Sequence, residues 1–473
     1  MTELIRRADV RLPSGTDVAA LAAEVAGPVL VPGDPDYAGE TATYNLLTPL
    51  HPAVAVGATS VADVQAAVRF AGRHGLAVAV RGGGHLVAKP TDDAVVVNLR
   101  RMSNVAVDVT DRTARIDGAT LWGAVLAAAT PHGLAPMNGS TGTVGAIGYL
   151  LGGGQSPVLG RTYGYAAEHV TEMDVVTADG EFRKVTAQSN PDLFFAIRGS
   201  KGNFGIVTGL VTRLFPVARI FGGSMYFAGE PLADLLHGWR KWVADIPQEL
   251  TSSIAVQRLP PLPELPDPLR GAFVVHVRLA YLGDAATGAR LIAPLRDIAP
   301  AIVDTVGEMP YADTPTIHSD PPNPIPYVDD TVGLRQMSTD TVDKIVELLG
   351  PDSDCRLVNV EIRCLGGALD REPAIPDAVP SRGLPFQLFG FGVGNAEEIA
   401  VHGAYLRKII RALQPWASPN AMVNFLSPHG AGSPEEVRAI YGAERYDRLA
   451  AIKATYDPGN MFRINHNIFP AAD

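Results

Sequence analysis

Apolar residues fall in short runs along the chain, separated by glycine, proline and small polar residues. Ala53–Val56 and Leu76–Val80 read as buried strands. Between them Val61, Val64, Val68 and Ala71 recur at helical spacing. Ser60 is placed to cap that helix, with Asp63 completing a capping box and Gly75 as its stop. Strand, helix and strand of this length predict a βαβ unit with a parallel pair. Val95–Leu99 and Thr113–Asp117 follow as strands. Leu121–Ala129 follows as a helix capped by Thr120, with Trp122 in the core. Met173–Val185 reads as a hairpin turning at Ala178-Asp179-Gly180, and Asn190-Pro191 opens a helix over Asp192–Ile197. The apolar strand Ile206–Phe215 comes next.

The pattern changes after Pro216. Apolar strands at Phe273–Tyr281, Val358–Leu365 and Pro385–Val393 are interleaved with helical patterns at Ala285–Leu295 and Thr341–Leu349. Alternating faces with helical connections predict an antiparallel sheet backed by helices. At the end, Ser433-Pro434-Glu435-Glu436 is a capping box, Gly442 closes that helix, and Arg445–Tyr456 is another. The expected class is α+β with two lobes. Residues 1–216 form one domain, 217–418 a second, and 419–473 a closing segment.

Three glycine-dense stretches interrupt these elements. Val78–His85 reads Val-Ala-Val-Arg-Gly-Gly-Gly-His, a strand that stops at Arg81 and continues through Gly82, Gly83 and Gly84 to His85. Consecutive glycines free the backbone for positive φ and remove every Cβ that would hold a ligand away. Their N–H groups can then line one concavity. Gly139–Gly154 is the second stretch and Gly199–Gly205 the third. Each interior glycine costs a helix or strand about 0.5–1 kcal/mol, a loss that suits backbone lying flat on a large cofactor. No dinucleotide fingerprint and no Walker A sequence occurs.

Composition narrows the field. The chain has 473 residues, 47% hydrophobic and 19% charged, with a formal net charge of −11. That balance argues against a nucleic-acid partner. No run of about 18 uncharged apolar residues predicts a membrane span. Met1–Ser14 lacks an apolar leader core, so a cytoplasmic setting is expected. Cys355 and Cys364 read as small buried side chains, and no Cys/His cluster has zinc spacing.

Together the Arg-Gly-Gly-Gly-His loop, Thr-Val-Gly-x-x-Gly-x-x-x-Gly-Gly-Gly, Asp-Leu-Phe-Phe-Ala-Ile-Arg-Gly-x-x-Gly-Asn-Phe-Gly and the closing Tyr-Asp-Pro-x-Asn-x-Phe-x-x-Asn-x-Asn block carry a resemblance. From about Tyr37 to Pro470 the chain resembles the berberine bridge enzyme-like branch of the vanillyl-alcohol oxidase/p-cresol methylhydroxylase flavoproteins. The resemblance implies a PCMH-type FAD lobe built from both chain ends, with a substrate lobe inserted between them. It implies that His85 carries FAD covalently, through a ring nitrogen to the 8α carbon, which raises the flavin's potential. The family's second tether, a cysteine, falls on Thr141, so a single link is expected.

The cofactor-binding residues so implied are Arg81, Gly82, Gly83, Gly84 and His85; Thr141, Gly142, Thr143, Val144, Gly145, Gly148, Tyr149, Gly152, Gly153 and Gly154; Gly202, Phe204, Gly205, Ile206 and Val207; and Asn465 and Asn467. Val144 takes the position associated with oxygen access, where a small side chain resembles the oxygen-reactive members. Tyr149 replaces a histidine near the ribityl chain and the pyrimidine ring.

The family's usual bases are missing. Phe425 follows Asn424 where relatives carry tyrosine, and Phe386–Phe391 has no carboxylate. Tyr149, His429, Tyr441 and Tyr327 remain as candidates. His132, His169, His318 and His466 read as surface or packing residues. Arg198 and Arg463 read as solvated charges or phosphate partners, and Lys201 as a solvated charge.

The implied function is an FAD-dependent oxidase. A substrate carbon delivers hydride to flavin N5, and dioxygen takes the electrons and leaves as hydrogen peroxide. The substrate is a hydroxyl-bearing or cyclisable secondary metabolite, or a sugar. A dehydrogenase using another acceptor, a non-redox cyclase with structural FAD and a flavin-carrying binding protein stand as alternatives. Oligomeric state is left open.

Overall fold

A computed structural model describes residues 11–85, 89–428 and 430–472. The candidate His429 lies outside the described residues. The chain forms three sheets and the helices that cover them.

The first sheet orders its strands as Val29–Leu30, Val54–Gly57, Ala94–Asn98, Ala77–Arg81, the last three parallel. The two strands joined by helix Val61–His74 are parallel, as expected, but not neighbours. Ala94–Asn98, buried at every residue, sits between them. Ser60 caps the helix, its Oγ accepting from the N–H of Asp63 at 3.2 Å, and Gly75 ends it at φ 67°. The expected return bond of the capping box is absent. The Asp63 carboxylate instead accepts from the N–H groups of Thr59 and Ala26 at 2.8 and 3.0 Å, tying in the preceding segment.

The second sheet is antiparallel, ordered Val105–Asp108, Thr113–Asp117, Ile206–Arg213, Val170–Val176, Phe182–Val185. Trp122 begins the helix Trp122–Ala129 and is fully buried. Thr120 does not cap it: its hydroxyl donates to the Asn104 carbonyl at 3.1 Å.

The third sheet has eight antiparallel strands. Besides the three expected, Arg219–Ala228, Leu250–Arg258 and Tyr327–Leu334 are long members. Their sequences mix glycine, serine and aspartate with apolar residues, which hides the strand signal. One face is apolar: Met225, Phe227, Ile254, Val256, Val275, Val277, Val360, Ile362 and Leu388 pack on helices Leu232–Trp242, Ala285–Arg296, Thr339–Leu349 and Ala396–Leu413. The expected antiparallel sheet backed by helices is therefore present. The opposite face carries Ser253, His276, Arg278, Asn359, Glu361, Arg363, Phe389 and Phe391, alternating residue by residue with the apolar set.

The end of the chain returns to its beginning. The Met461 carbonyl accepts from the N–H of Val78 at 3.1 Å, and Met461 and Phe462 enter the core of the first sheet. Helix Ala443–Tyr456 lies against Pro191–Ser200, with the Arg448 guanidinium 3.7 Å from the centre of the Phe195 ring. Among the described residues no helix is long and apolar enough to cross a membrane.

Candidate active site

A cavity of about 430 Å³ lies between the glycine loops and the polar face of the large sheet. Strand Ala77–Arg81 ends at its edge and the next residues wrap it. Gly84 takes φ 76°, outside the range of ordinary side-chain-bearing residues. The following His85 ring stacks on Tyr44, centroids 4.0 Å apart and planes 18° apart. Its Nε2 lies 3.1 Å from the Thr143 carbonyl oxygen. A carbonyl only accepts, so this contact assigns the proton to Nε2 and leaves the Nδ1 lone pair unprotonated. Burial pulls the imidazole down to about 4, against the Thr143 contact, so the ring is neutral near pH 7.

The first two glycine loops touch through their backbones. A Cβ on Gly83 would stand 2.6 Å from the Gly145 nitrogen, and one on Gly145 would stand 2.8 Å from the Gly83 nitrogen. Gly148 and Gly202 differ: both line the cavity, and a Cβ there would meet nothing within 4 Å. Tyr149 and Asn465 also line it, and the Tyr149 hydroxyl and the Asn465 Oδ1 are buried without a partner among the described residues. Bare backbone along one wall of the cavity fits a large, flat cofactor.

Of the residues expected at the cofactor, Gly82, Gly83, Gly84, His85, Thr141, Val144, Gly145, Gly148, Tyr149, Gly202, Gly205, Val207 and Asn465 line this cavity. Others do not. Arg81 is used locally, donating to the Ala42 carbonyl at 2.5 Å and to Asn98 Oδ1 at 3.2 Å. Gly142 packs on Gly123, and Thr143 contributes its backbone to His85. Gly152 packs on Asn424, Gly153 on Val379 and Tyr165, and Gly154 on Tyr149 and Ala166. Phe204 and Ile206 are core residues, and Asn467 is buried away from the lining. Tyr441 is also displaced from the reacting region: its hydroxyl donates to the Gly199 carbonyl at 3.1 Å inside the protein. Among the described residues no cluster is fit to hold a metal ion.

Comparison with known proteins identifies two domains. Residues 52–186 match the FAD binding domain model, and residues 423–469 match the berberine and berberine-like model. The chain carries an FAD binding domain and a berberine-like domain, and its relatives are FAD-linked oxidoreductases. (R)-6-hydroxynicotine oxidase of Paenarthrobacter nicotinovorans is 27% identical, the alignment covering 95% of this chain and 99% of the relative. The crystal structure of 6-hydroxy-D-nicotine oxidase from Arthrobacter nicotinovorans superposes with a TM-score of 0.82 at 24% identity, covering 94% of this chain and 98% of that one. Xylooligosaccharide oxidase from Myceliophthora thermophila C1, solved with xylobiose, gives 0.83 at 20% identity, covering 97% and 100%.

The sheet side of this cavity holds charged groups that sequence reading missed. Glu361 is their hub. It pairs with Arg278 at 2.9 Å, Arg363 at 3.0 Å and His318 at 3.4 Å, and accepts from Ser253 Oγ at 2.6 Å. Burial works against its charge, yet Arg363, Arg278 and His318 hold it well below the usual carboxylate range. The Arg363 guanidinium also lies 4.8 Å from the centre of the Phe425 ring, itself 5.1 Å from Phe389. His318 and His466, expected as surface or packing residues, are both buried, and His466 lines the cavity.

Lys201 is a correction of the same kind. It lines the cavity, at φ 59° and ψ −145°, a strained backbone for a lysine. A signal for these residues exists in the sequence. Asn359-Val-Glu361-Ile-Arg363 and His276-Val-Arg278 place charge at every second position of apolar strands, so one face must meet polar groups or a ligand.

Proposed function

We propose that this FAD-dependent oxidoreductase is a monocovalent oxidase, its flavin carried by His85. Residues 1–216 and 419–473 form its FAD lobe, and 217–418 its substrate lobe. The observation that carries the reading is the His85 imidazole. It is neutral, held by Tyr44 and Thr143, and presents Nδ1 as its nucleophilic nitrogen at the cavity wall. Thr141 also lines the cavity but carries no thiol, which supports a single tether.

The FAD would lie along Gly82–Gly84, Gly145, Gly148 and Gly202, and would supply a two-electron acceptor. Val144, small and on the lining, supports access of dioxygen to it. The polar face of the large sheet binds the substrate. Phe389, Phe391 and Phe425 give an aromatic wall, and Asn359 and Arg363 give polar anchors beside it. This mixture suits a small molecule that bears hydroxyl groups on a ring. The printed names of the relatives, oxidases of hydroxynicotine and of xylooligosaccharide, support that class.

The test is a denaturing gel viewed under ultraviolet light after acid treatment. A flavin band is expected for the native chain and none for His85→Ala. The holoenzyme is then screened anaerobically for bleaching by xylobiose, chitobiose, (R)-6-hydroxynicotine and 4-hydroxybenzyl alcohol, and re-aerated. Fast recolouring with peroxide release supports the oxidase, and slow recolouring shows a dehydrogenase. A native chain that loses its flavin on denaturation overturns the covalent assignment.

A further inference from the structure

We propose that Asp329 is the residue that takes the substrate's proton, with Lys201 on the opposite lobe as its counter-charge. This rests on the oxidoreductase reading above.

Asp329 sits on strand Tyr327–Leu334, in register with Phe391, which is in turn in register with Asn359. The three side chains share the sheet face that lines the cavity. Among the described residues Asp329 has no ion pair and no side-chain hydrogen bond to another residue, only one to its own backbone. The other lining carboxylates are engaged. Glu361 is bound by two arginines, a histidine and a serine, and the arginines hold it in the charged form, well below the usual carboxylate range. Asp320 accepts from Ser140 Oγ at 2.5 Å.

The phenols are no better suited. Burial pushes the Tyr149 hydroxyl far above its ordinary range, and the Tyr327 hydroxyl donates to the His85 carbonyl at 3.2 Å. Phe425, Phe389 and Phe391 have no exchangeable proton. Asp329 is therefore the carboxylate left facing the reacting volume with its oxygens open to a substrate.

The groups around Asp329 can be named. On its own strand stand Asp330 and Tyr327. From the paired strand comes the uncharged Phe391. From the glycine loop comes Lys201. Burial and the Asp330 charge raise Asp329 to about 7, while Lys201 opposes the rise. Burial draws the Lys201 amine down to about 7, with Asp329 opposing. Lys201 has no ion pair or hydrogen bond among the described residues, and its backbone is held in a conformation that glycine adopts more readily. Lys201 and Asp329 line the same cavity, from the glycine loop and from the large sheet.

The step balances as follows. A substrate hydroxyl gives its proton to an Asp329 oxygen. The hydrogen on the adjacent carbon leaves with its electron pair to FAD. The O–H and C–H bonds break, the carbonyl forms, the alcohol is oxidised, and Asp329 ends as the acid until solvent takes its proton. A base poised near neutral pH serves such a step best.

The experiment uses the flavin-loaded protein. Infrared difference spectra between about pH 5 and about pH 9 should show a carboxylic-acid band titrating near 7. The band should vanish in Asp329→Asn and titrate at higher pH in Lys201→Met. Anaerobic bleaching by whichever of the four named compounds reduces the native flavin should slow by about 100-fold or more in Asp329→Asn. Its rise with pH through neutrality should flatten, and Asp329→Glu should restore part of the rate. The covalent flavin band confirms that each variant has folded around its cofactor.

A native protein without the band, a band that survives in Asp329→Asn, or unchanged bleaching in that variant overturns the proposal. If none of the four compounds bleaches the native enzyme, the oxidase reading above suffers, and the infrared titration alone decides the role of Asp329.

Discussion

His85 Nε2 stands 3.1 Å from the Thr143 carbonyl oxygen, so the side chain proposed to carry the flavin also joins the first glycine loop to the second. The ring is fixed on its other side by Tyr44. On the proposed covalent link, attachment would depend on a residue that stacks on the ring's face. Tyr44→Ala should leave the fold intact and slow covalent attachment. Loss of one stacked pair, about 0.5–1.5 kcal/mol, corresponds to about 2- to 12-fold. Apoprotein mixed with FAD and followed by the acid-fluorescent gel band gives the rate. An unchanged rate would mean that the stack does not orient the imidazole.

The glycines separate into two kinds. Gly83 and Gly145 are small because another backbone is there, whereas Gly148 and Gly202 are small with nothing protein-derived against them. Gly83→Ala should therefore destabilise the protein itself by about 1–3 kcal/mol, as overpacking does. Gly148→Val should unfold like the native apoprotein in urea yet retain little flavin. Equal stability losses in both would show that Gly148 serves packing alone.

Such distinctions show which parts of the site were legible in the sequence. The His85 loop and the glycine stretches were, because their chemistry is local: a strand, a run of glycines and a histidine occupy neighbouring positions. Lys201, Arg278, Asp329 and Glu361 were not. The alternation of His276-Val-Arg278 and Asn359-Val-Glu361 marks a polar strand face, but these residues come from a glycine loop and three different strands whose order is not written in any local pattern. The long strands Arg219–Ala228 and Leu250–Arg258 were hidden for a related reason. Both are buried along most of their length, with Ser224, Thr251, Ser252 and Ser253 inside, so the usual alternation of buried and exposed positions is lost. Thr120 and Asp63 show that local capping rules yield when a tertiary partner, Asn104 or Ala26, offers a better bond.

Glu361 holds together the polar face of the large sheet, and its removal should be costly. Glu361→Gln leaves Arg278 and Arg363 buried without their counter-charge. Breaking a buried ion cluster from one side typically costs about 3–5 kcal/mol. Urea unfolding of native and variant protein measures it. A loss below about 1 kcal/mol would show that cavity solvent already screens the cluster.

Acid should destabilise the protein through its buried histidines. His466 donates from Nε2 to the Ser427 carbonyl at 2.9 Å. Burial, with Lys201 nearby, lowers it to about 4. The unfolded chain then binds a proton between about 6.5 and about 4 that the folded chain refuses. The stability contributed is fully present above about 6.5 and is lost as pH falls through that window, at about 1.4 kcal/mol per unit for each such histidine. His466→Gln should flatten the acid limb of the stability profile. Denaturant midpoints from about pH 7 to about pH 4 test it, and a limb of unchanged slope would place the lost stability elsewhere.

The closing segment is tied to the site by Lys453 and Asp457, both fully buried and 2.6 Å apart. Lys453 Nζ also donates to the carbonyls of Asn203 and Phe462 at 2.5 and 3.1 Å. Asp457 accepts from the N–H groups of Met461 and Phe462 at 2.7 and 2.9 Å. One ion pair thus fixes the loop that carries Lys201 and Gly202 and the turn that sends Asn465 to the cavity. Lys453→Met should cost about 3–5 kcal/mol, since the buried Asp457 charge loses its partner. Adding Asp457→Asn should recover part of that loss, so the two changes should not be additive. Amide exchange should quicken around residues 201–205 and 461–465 together, and flavin incorporation should fall in step. Exchange that quickens in only one of these segments would show that the pair stabilises the helix end and not the junction.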